Sequence, residues 1–219
     1  MKKYPTPKAT LKKLLPTVTE NQINQLETFV DLLQKWNQRY NLISRKDIDK
    51  IWEHHILPSL IPLTLTDFHE SCWILDIGSG GGLPAIPIKI IRPDLQMLLV
   101  DSVRKKTLFL QKITSDLRLT KISVMRERIE TLSTQSDLRE QFDVVTARAV
   151  ANIPQLYDWS KPFLKRSSFM FLWKGYSDIP ELKKFSEDYH LKYEILTVSD
   201  LFRKYSPKFE ALCLFKIQL

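Results

Sequence analysis

The chain has 219 residues, of which 43% are hydrophobic, so it can form one large domain or one domain with a small appendage. No stretch approaches the roughly 20 uncharged apolar residues of a membrane-spanning helix, and the two cysteines, Cys72 and Cys213, lie in apolar runs, which disfavours a membrane protein, a disulfide scaffold and a zinc site. The net charge of +8 favours a polyanionic partner such as nucleic acid.

The sequence of residues 1–70 predicts a basic tail and a helical extension. Residues 1–19 carry five lysines and no acid, and we expect them to be poorly ordered or loosely packed. They lack the apolar core and the cleavage site of a signal peptide, so we expect a cytoplasmic location. A helix cap at Thr19 predicts one long helix, and a cap at Ser44 predicts a second helix that ends near Pro58.

Residues 71–219 predict a second unit, in which short apolar strands alternate with helices. We predict strands at 73–77, 95–101, 122–126, 142–146, 169–173, 192–198 and 211–218. Helices are expected near 84–92, 103–117, 152–164 and 178–189. Strands separated by helices form a mostly parallel sheet, whereas the last two strands leave no room for a helix, so the last strand should be antiparallel.

Four of the five glycines lie within residues 78–82, between the first strong strand and a helix. Such a turn lets the backbone approach a ligand closely and directs helix N-terminal amides towards it. A dinucleotide fingerprint would need glycine where the chain has Leu83, which disfavours a nicotinamide dehydrogenase. The arrangement of Asp76, Gly78, Gly80 and Gly82 is instead similar to motif I of class I methyltransferases. It predicts a Rossmann-like α/β fold that binds S-adenosylmethionine.

Two later positions also suit a nucleoside. Asp101 ends the second strand, where its two oxygens can accept both ribose hydroxyls. Ile129 and Glu130 follow the third strand, where a backbone amide and a carboxylate can hold the adenine. The alternative is that the glycine turn is purely structural, that the acid at the strand end is unrelated, and that Glu130 caps the following helix.

Basic residues follow the fourth and fifth strands. Ligands of open α/β sheets bind beyond the carboxyl ends of the parallel strands. We therefore expect Arg148 and Lys174 to face the crevice of the glycine turn as catalytic residues. The loop at 202–209 interleaves bases with aromatic residues, which suits RNA, although a solvated hairpin is the alternative. Its candidate RNA-binding residues are Arg203, Lys204 and Lys208.

The residues at this edge also bear on the atom that is methylated. No cysteine lies there, which disfavours a covalent route to cytosine C5. A ring nitrogen such as guanine N7 has a free lone pair, so the enzyme need only align it with the methyl group, and we assign no general base and no metal. Cations such as Arg148 and Lys174 can hold the guanine O6 and nearby phosphates.

Eight segments carry a family resemblance. They are 36–42, 54–59, 75–84, 91–93, 100–102, 128–130, 147–149 and 173–175. In these segments the chain resembles the RsmG (GidB) family of 16S ribosomal RNA guanine-N7 methyltransferases. The resemblance implies methylation of one guanine of the small ribosomal subunit, guanine 527 by family convention. It also implies an S-adenosylmethionine site with Asp101 at the ribose. The other residues implied are Gly78, Leu83, Ile129, Glu130 and Arg148.

Three departures from the family pattern stand out. The family usually has aspartate where this chain has Pro58, which bears on how the helical segment meets the catalytic domain. It usually has glycine where this chain has Ala85, and residues 149–153 fit only loosely. Two matched residues keep open roles: His55 and Asn41 either contact the substrate or pack within the protein.

The sequence thus favours a monomeric, cytoplasmic, metal-free rRNA methyltransferase that acts on the small ribosomal subunit. One alternative is a class I methyltransferase that acts on another RNA site or on a small molecule. Another is an RNA-binding relative that has lost catalytic activity.

Overall fold

A seven-stranded sheet lies at the centre of the computed structural model, which describes residues 7–66, 68–133, 136–197 and 212–219. Its strands are β1 (Trp73–Ile77), β2 (Gln96–Val100), β3 (Ile122–Met125), β4 (Phe142–Arg148), β5 (Leu164–Gly175), β6 (Lys192–Thr197) and β7 (Leu212–Gln218). The spatial order is β3-β2-β1-β4-β5-β7-β6, and β7 runs antiparallel to both β5 and β6. The remaining pairs are parallel, which confirms the predicted fold class.

Helices cover both faces of the sheet. They are α1 (Pro7–Leu14), α2 (Glu20–Tyr40), α3 (Leu57–Ser59), α4 (Pro62–Leu65), α5 (Ala85–Ile91), α6 (Arg104–Asp116), α7 (Ile129–Leu132), α8 (Ile153–Ser160) and α9 (Ile179–Tyr189). Helices α1 to α6 pack into the hydrophobic layer on one face, and α7 to α9 pack into the layer on the other. Within the described residues, no helix is both long and apolar enough to cross a membrane.

Helix α2 joins the N-terminal segment to the sheet. It begins at the predicted capping box, in which the Thr19 hydroxyl accepts from the Gln22 amide. The Gln22 side chain also donates to the carbonyl oxygens of Ile90 and Ile91 at the end of α5. The apolar face of α2 lies in the same hydrophobic layer as α5 and α6. The segment before residue 70 therefore shares a core with the sheet, and the domain boundary stays a prediction.

The expectation that residues 1–19 are poorly ordered or loosely packed is wrong for the part that the structure describes. Helix α1 forms there, and its Leu11 is fully buried. Lys8 lies 2.9 Å from the Glu20 carboxylate, and Lys12 pairs with the same group. The density of lysines in the sequence did not suggest that Leu11 is buried or that Glu20 pairs with two of the lysines.

The helix predicted behind Ser44 also differs from the structure. A 3-10 turn spans Arg45–Lys50, and a π-helical turn spans Trp52–Ile56. The chain then continues helically through Pro58 in the first turn of α3. Proline has no N–H to donate to the His54 carbonyl, but that carbonyl accepts a hydrogen bond from Arg148 instead, so proline is tolerated there.

Two strands are longer than predicted. Strand β4 continues to Arg148, and β5 begins at Leu164 rather than at residue 169. Helix α8 ends earlier than expected because the chain passes into a 3-10 turn at Lys161–Phe163. These shifts place Arg148 inside the sheet ladder, paired with Trp173 of β5.

Candidate active site at the carboxyl edge of the sheet

The glycine turn has the backbone geometry that its sequence predicted. Gly78, Gly80 and Gly82 have φ angles of 67°, 55° and 81°, a region that side chains disfavour. A Cβ atom at Gly78 would lie 2.6 Å from a methyl carbon of Val150. At Gly80 the nearest atom would be 3.7 Å away, an ordinary van der Waals distance, so only the positive φ disfavours a side chain there.

A first cavity, of about 290 Å³, lies beside this turn. It brings together the predicted nucleoside residues Gly78, Asp101, Ile129 and Glu130. The complete lining is Ile77, Gly78, Val100, Asp101, Ser102, Val103, Lys106, Glu127, Arg128, Ile129, Glu130, Ala149, Val150 and Trp159. The cavity thus combines the Asp101 carboxylate with other charged residues and with apolar residues such as Ile129 and Val150.

Asp101 is held by the backbone around it. Its Oδ2 accepts the Gly80 amide at 2.9 Å, and its Oδ1 accepts the Val103 amide at 2.8 Å. The Lys106 ammonium lies 3.7 Å from Oδ2. Each carboxylate oxygen can accept more than one hydrogen bond, so both retain capacity for ligand hydroxyls. The sequence assigned Asp101 to a ribose, and the structure adds that this acid is fixed against the glycine turn.

A second cavity, also about 290 Å³, adjoins the first, and the two share Gly78, Lys106 and Ala149. It brings Arg148 and Leu83 together with the N-terminal segment. The complete lining is Leu42, Ile43, Ser44, Asp47, His55, Gly78, Ser79, Gly80, Gly81, Leu83, Lys106, Arg148 and Ala149. Asn37, buried in α2, supports this wall because its Oδ1 accepts the Ile43 amide at 2.9 Å.

Arg148 is one of the two cationic residues that line the second cavity, with Lys106. Its Nη2 donates to the backbone carbonyl of His54 at 2.7 Å, whereas Nη1 is buried and has no hydrogen-bond partner among the described residues. Burial lowers the pKa of this guanidinium to about 10. The negative charge of Asp47 partly offsets this effect by raising the pKa. The group still carries a full positive charge at neutral pH, in surroundings where that charge is weakly screened.

Asp76 lies behind the glycine turn and lines neither cavity. Its Oδ1 accepts the Thr146 hydroxyl at 2.6 Å, and its Oδ2 is buried without a hydrogen-bond partner among the described residues. Burial raises the pKa of the Asp76 carboxyl to about 7, although the Thr146 hydrogen bond lowers it. A buried oxygen that accepts no hydrogen bond destabilises the folded protein. A nearby cationic ligand would stabilise the carboxylate.

Gly82 has a packing role. A Cβ atom there would lie 2.6 Å from Ile86, the second residue of α5, so the glycine permits close packing of the turn on the helix. It lines neither of the two cavities.

Lys174 is not brought beside Arg148. Arg148 and Trp173 are paired neighbours and project from one face of the sheet, so the next residue, Lys174, projects from the other. Its ammonium donates to the Ala151 carbonyl at 2.6 Å, and the residue lines neither cavity. The expectation that both cations face one crevice therefore fails, and Lys174 instead supports the loop after β4. The predicted RNA-binding residues Arg203, Lys204 and Lys208 lie outside the described residues.

Sequence reasoning missed several residues that line the cavities. Asp47, Lys106 and Trp159 were not singled out as site residues. Their places depend on how distant segments fold together, although the matched block at 54–59 pointed to the N-terminal wall.

A group of possible metal ligands lies at the opposite edge of the sheet. The ligand atoms of His69, Cys72 and Asp143 are within 4.8 Å of one another. Burial raises the pKa of the Cys72 thiol to about 12, and the Lys165 ammonium lies 2.8 Å from the Asp143 carboxylate. A protonated thiol and a carboxylate that already pairs with a cation are poor metal ligands, so we assign this cluster an ion-pairing role.

Comparisons with known proteins agree with this architecture. A putative O-methyltransferase from Klebsiella pneumoniae has a similar structure, with a TM-score of 0.61 at 10% identity over 96% of this chain and 94% of that chain. A SAM dependent methyltransferase from Aquifex aeolicus has a TM-score of 0.53 at 13% identity over 73% and 88%. At these identities the likeness shows the fold alone, which is that of class I methyltransferases.

Sequence comparison is more specific. The family model described as rRNA small subunit methyltransferase G matches residues 22–206. A protein so named from Geobacillus kaustophilus is 35% identical over 167 residues, which cover 76% of this chain and 70% of the relative. The chain therefore belongs to the GidB family of rRNA small subunit methyltransferase G enzymes, and it is a methyltransferase.

Proposed function

We propose that the protein transfers a methyl group from S-adenosylmethionine to N7 of one guanine in 16S ribosomal RNA. By the convention of the family this is guanine 527. The observation that carries the proposal is the pair of joined cavities at the carboxyl edge of the sheet. The first has the residues expected around a nucleoside, and the second joins Arg148 to the family-specific N-terminal segment.

The residues present fit this cofactor. The first cavity offers the Asp101 carboxylate for a ribose and the Ile129 amide with Glu130 for an adenine. Gly80 lines the second cavity, where the lack of a side chain lets a ligand approach the backbone. The buried Oδ2 of Asp76 lacks a hydrogen-bond partner within the described chain, and a cationic ligand nearby would favour its charged form.

The reaction needs little from the protein beyond alignment. The bound cofactor supplies an electrophilic methyl group on its sulfonium. Arg148, fixed by the His54 carbonyl, provides a rigid positive charge where the second cavity meets the glycine turn. A charge held in advance at guanine O6 orients the base, and the low local polarity strengthens that interaction. No residue has to remove a proton, because N7 has a free lone pair.

Other predicted residues act around this centre. We assign Lys174 to positioning, since its bond to Ala151 supports the loop that carries Ala149 and Val150 into both cavities. The basic residues Arg203, Lys204 and Lys208 are proposed to bind RNA phosphates. Their interleaving with aromatic residues suits unstacked bases.

We also propose that the protein is monomeric and cytoplasmic, and that it consists of a helical extension at residues 1–70 and a methyltransferase domain at residues 71–219. We propose in addition that the reaction uses no metal ion. Sedimentation of the purified protein, and metal analysis of it, test the first and last of these statements.

The decisive experiment uses small ribosomal subunits from a strain that lacks this protein. The purified enzyme is incubated with them and with S-adenosylmethionine carrying a labelled methyl group, and the modified nucleotide is mapped. We expect one labelled N7-methylguanine in 16S rRNA. A label at another site, or only on small molecules, overturns the substrate. Isothermal titration with S-adenosylmethionine covers the remaining alternative, because an inactive RNA-binding relative need not bind it.

A further inference from the structure

The second cavity contains an acid that the proposed reaction does not use. Asp47 lies in the 3-10 turn Arg45–Lys50, and its side chain is 20% exposed. It lines the cavity together with Arg148 and the glycine turn. Its carboxylate favours the charged form of Arg148, and its place in the cavity also lets it accept hydrogen bonds from a substrate.

Neighbouring residues hold Asp47 in a fixed position. Its Oδ1 accepts a hydrogen bond of 2.8 Å from Nδ1 of the buried His54, so Nδ1 carries the proton. Its Oδ2 lies 3.8 Å from Nε2 of His55. The backbone carbonyl of His54 in turn accepts from Arg148. Asp47 and Arg148 are therefore both attached to one π-helical turn, which fixes their relative positions.

We infer that Asp47 recognises the target guanine by accepting hydrogen bonds from its N1–H and its exocyclic N2 amine. The inference rests on the proposed function and names the residue that selects the base. Guanine is the only standard RNA base with two adjacent donors on its Watson–Crick edge. Adenine and cytosine present a ring acceptor beside their amine, and uracil places its one donor between two carbonyls. Each of these would bring an acceptor against the carboxylate, which is unfavourable.

The same contact leaves the reactive atom accessible. In guanine, N7 lies on the edge of the ring system opposite N1 and N2, and O6 lies between them. A base held by Asp47 on its Watson–Crick edge and by Arg148 near O6 would keep the N7 lone pair unengaged. The joined cavities supply a route from this base to the cofactor, because they meet at Gly78, Lys106 and Ala149.

Two variants and two substrates test the inference. Asp47→Asn keeps the shape and an acceptor for His54 but replaces one carboxylate oxygen by a donor. Asp49→Asn makes the same charge change at an exposed position of the same turn and serves as the control. Small subunits are reconstituted with either guanine or inosine at the methylated position. Inosine lacks the N2 amine but keeps N1–H, O6 and N7.

We expect the wild-type enzyme and Asp49→Asn to prefer guanine over inosine by about 10- to 100-fold in kcat/KM, as one well-formed base contact allows. Asp47→Asn should lose activity on guanine by a similar factor and show nearly equal kcat/KM for the two substrates. Its affinity for S-adenosylmethionine, measured by titration calorimetry, should be unchanged.

Four results would overturn the inference. One is an equal loss on guanine and inosine, which indicates a purely structural role for Asp47. Another is a weakened affinity of Asp47→Asn for S-adenosylmethionine that accounts for its loss, which indicates that Asp47 holds the ammonium group of the cofactor. If the wild-type enzyme fails on guanine subunits, the proposed function itself fails and takes this inference with it. If the wild-type enzyme methylates guanine subunits normally but Asp47→Asn keeps the wild-type base preference, the inference fails and the proposed function stands.

Discussion

The guanidinium of Arg148 donates a hydrogen bond of 2.7 Å to the backbone carbonyl oxygen of His54. This contact joins the end of β4 to the π-helical turn of the N-terminal segment. Pro58, four residues after His54, has no N–H, so it cannot form the usual helical hydrogen bond to that carbonyl. The departure from the family pattern at Pro58 is therefore compatible with a close junction between the two parts of the chain.

Replacing Arg148 tests its role in the reaction. Arg148→Ala should reduce methyl transfer to small subunits by about 100-fold or more, as expected when a fixed charge at a reacting group is removed. The fold should persist, because the variant loses only one hydrogen bond to the described residues, that to the His54 carbonyl. Initial rates and a thermal melt measure the two effects. Arg166→Ala, at an exposed position of β5, is the matched control, and full activity of Arg148→Ala would exclude Arg148 from the site.

A second contact at the same junction affects stability. The Nε1 of Trp173 donates to the Pro58 carbonyl at 2.9 Å, and this indole is almost fully buried. Trp173→Phe removes the donor and leaves space, so the free energy of unfolding should fall by about 1–3 kcal/mol. Urea denaturation provides the measurement. Trp73→Phe, at a more exposed indole, should change stability by less than about 0.5 kcal/mol, and equal effects of the two variants would contradict this account.

Parts of this site could be predicted because their signals are local. The glycine turn needed only its five residues, and Asp101 followed from its place at the end of a strand. Lys174 could not be placed correctly, because its direction depends on the pairing of Arg148 with Trp173, and register is not visible in one sequence. Asp47 was likewise hidden. Asp47 follows the helix cap predicted at Ser44, so its place in the sequence did not suggest a site residue. Only packing of the N-terminal segment against the sheet brings it to the cavity.

The glycine turn offers a steric test. Gly78→Ala places a methyl group 2.6 Å from Val150 in a backbone conformation with φ of 67°, so the turn must shift. We expect affinity for S-adenosylmethionine to fall at least about 10-fold, since the strained conformation alone costs about 1–2 kcal/mol. Adding Val150→Ala removes the clashing methyl groups and should restore part of the affinity. Titration calorimetry compares the three proteins, and wild-type affinity in Gly78→Ala would show that the cofactor does not use this turn.

The pKa of about 7 for Asp76 predicts a specific dependence of stability on pH. Because burial raises the folded-state pKa above the ordinary value of 3.8, the folded protein favours the protonated form. This stabilising contribution is complete below about pH 4 and is lost as the pH rises to about 7 and beyond. Asp76→Asn, which cannot ionise, should lack it. The difference in unfolding free energy between wild type and variant should therefore change between pH 5 and pH 8, with the wild type losing stability relative to the variant.

Cofactor binding should also depend on the ionisation of Asp76, but here a higher pH should favour binding. A cationic ligand near Asp76 favours the ionised carboxylate, so affinity for S-adenosylmethionine should weaken as the pH falls from 8 to 6, and binding near pH 6.5 should release protons. Calorimetry in two buffers of different ionisation enthalpy measures that release. Asp76→Asn should bind without it and with a flatter pH profile. If both proteins show the same profile, another group is responsible and the cofactor cation lies too far from Asp76 to affect its charge.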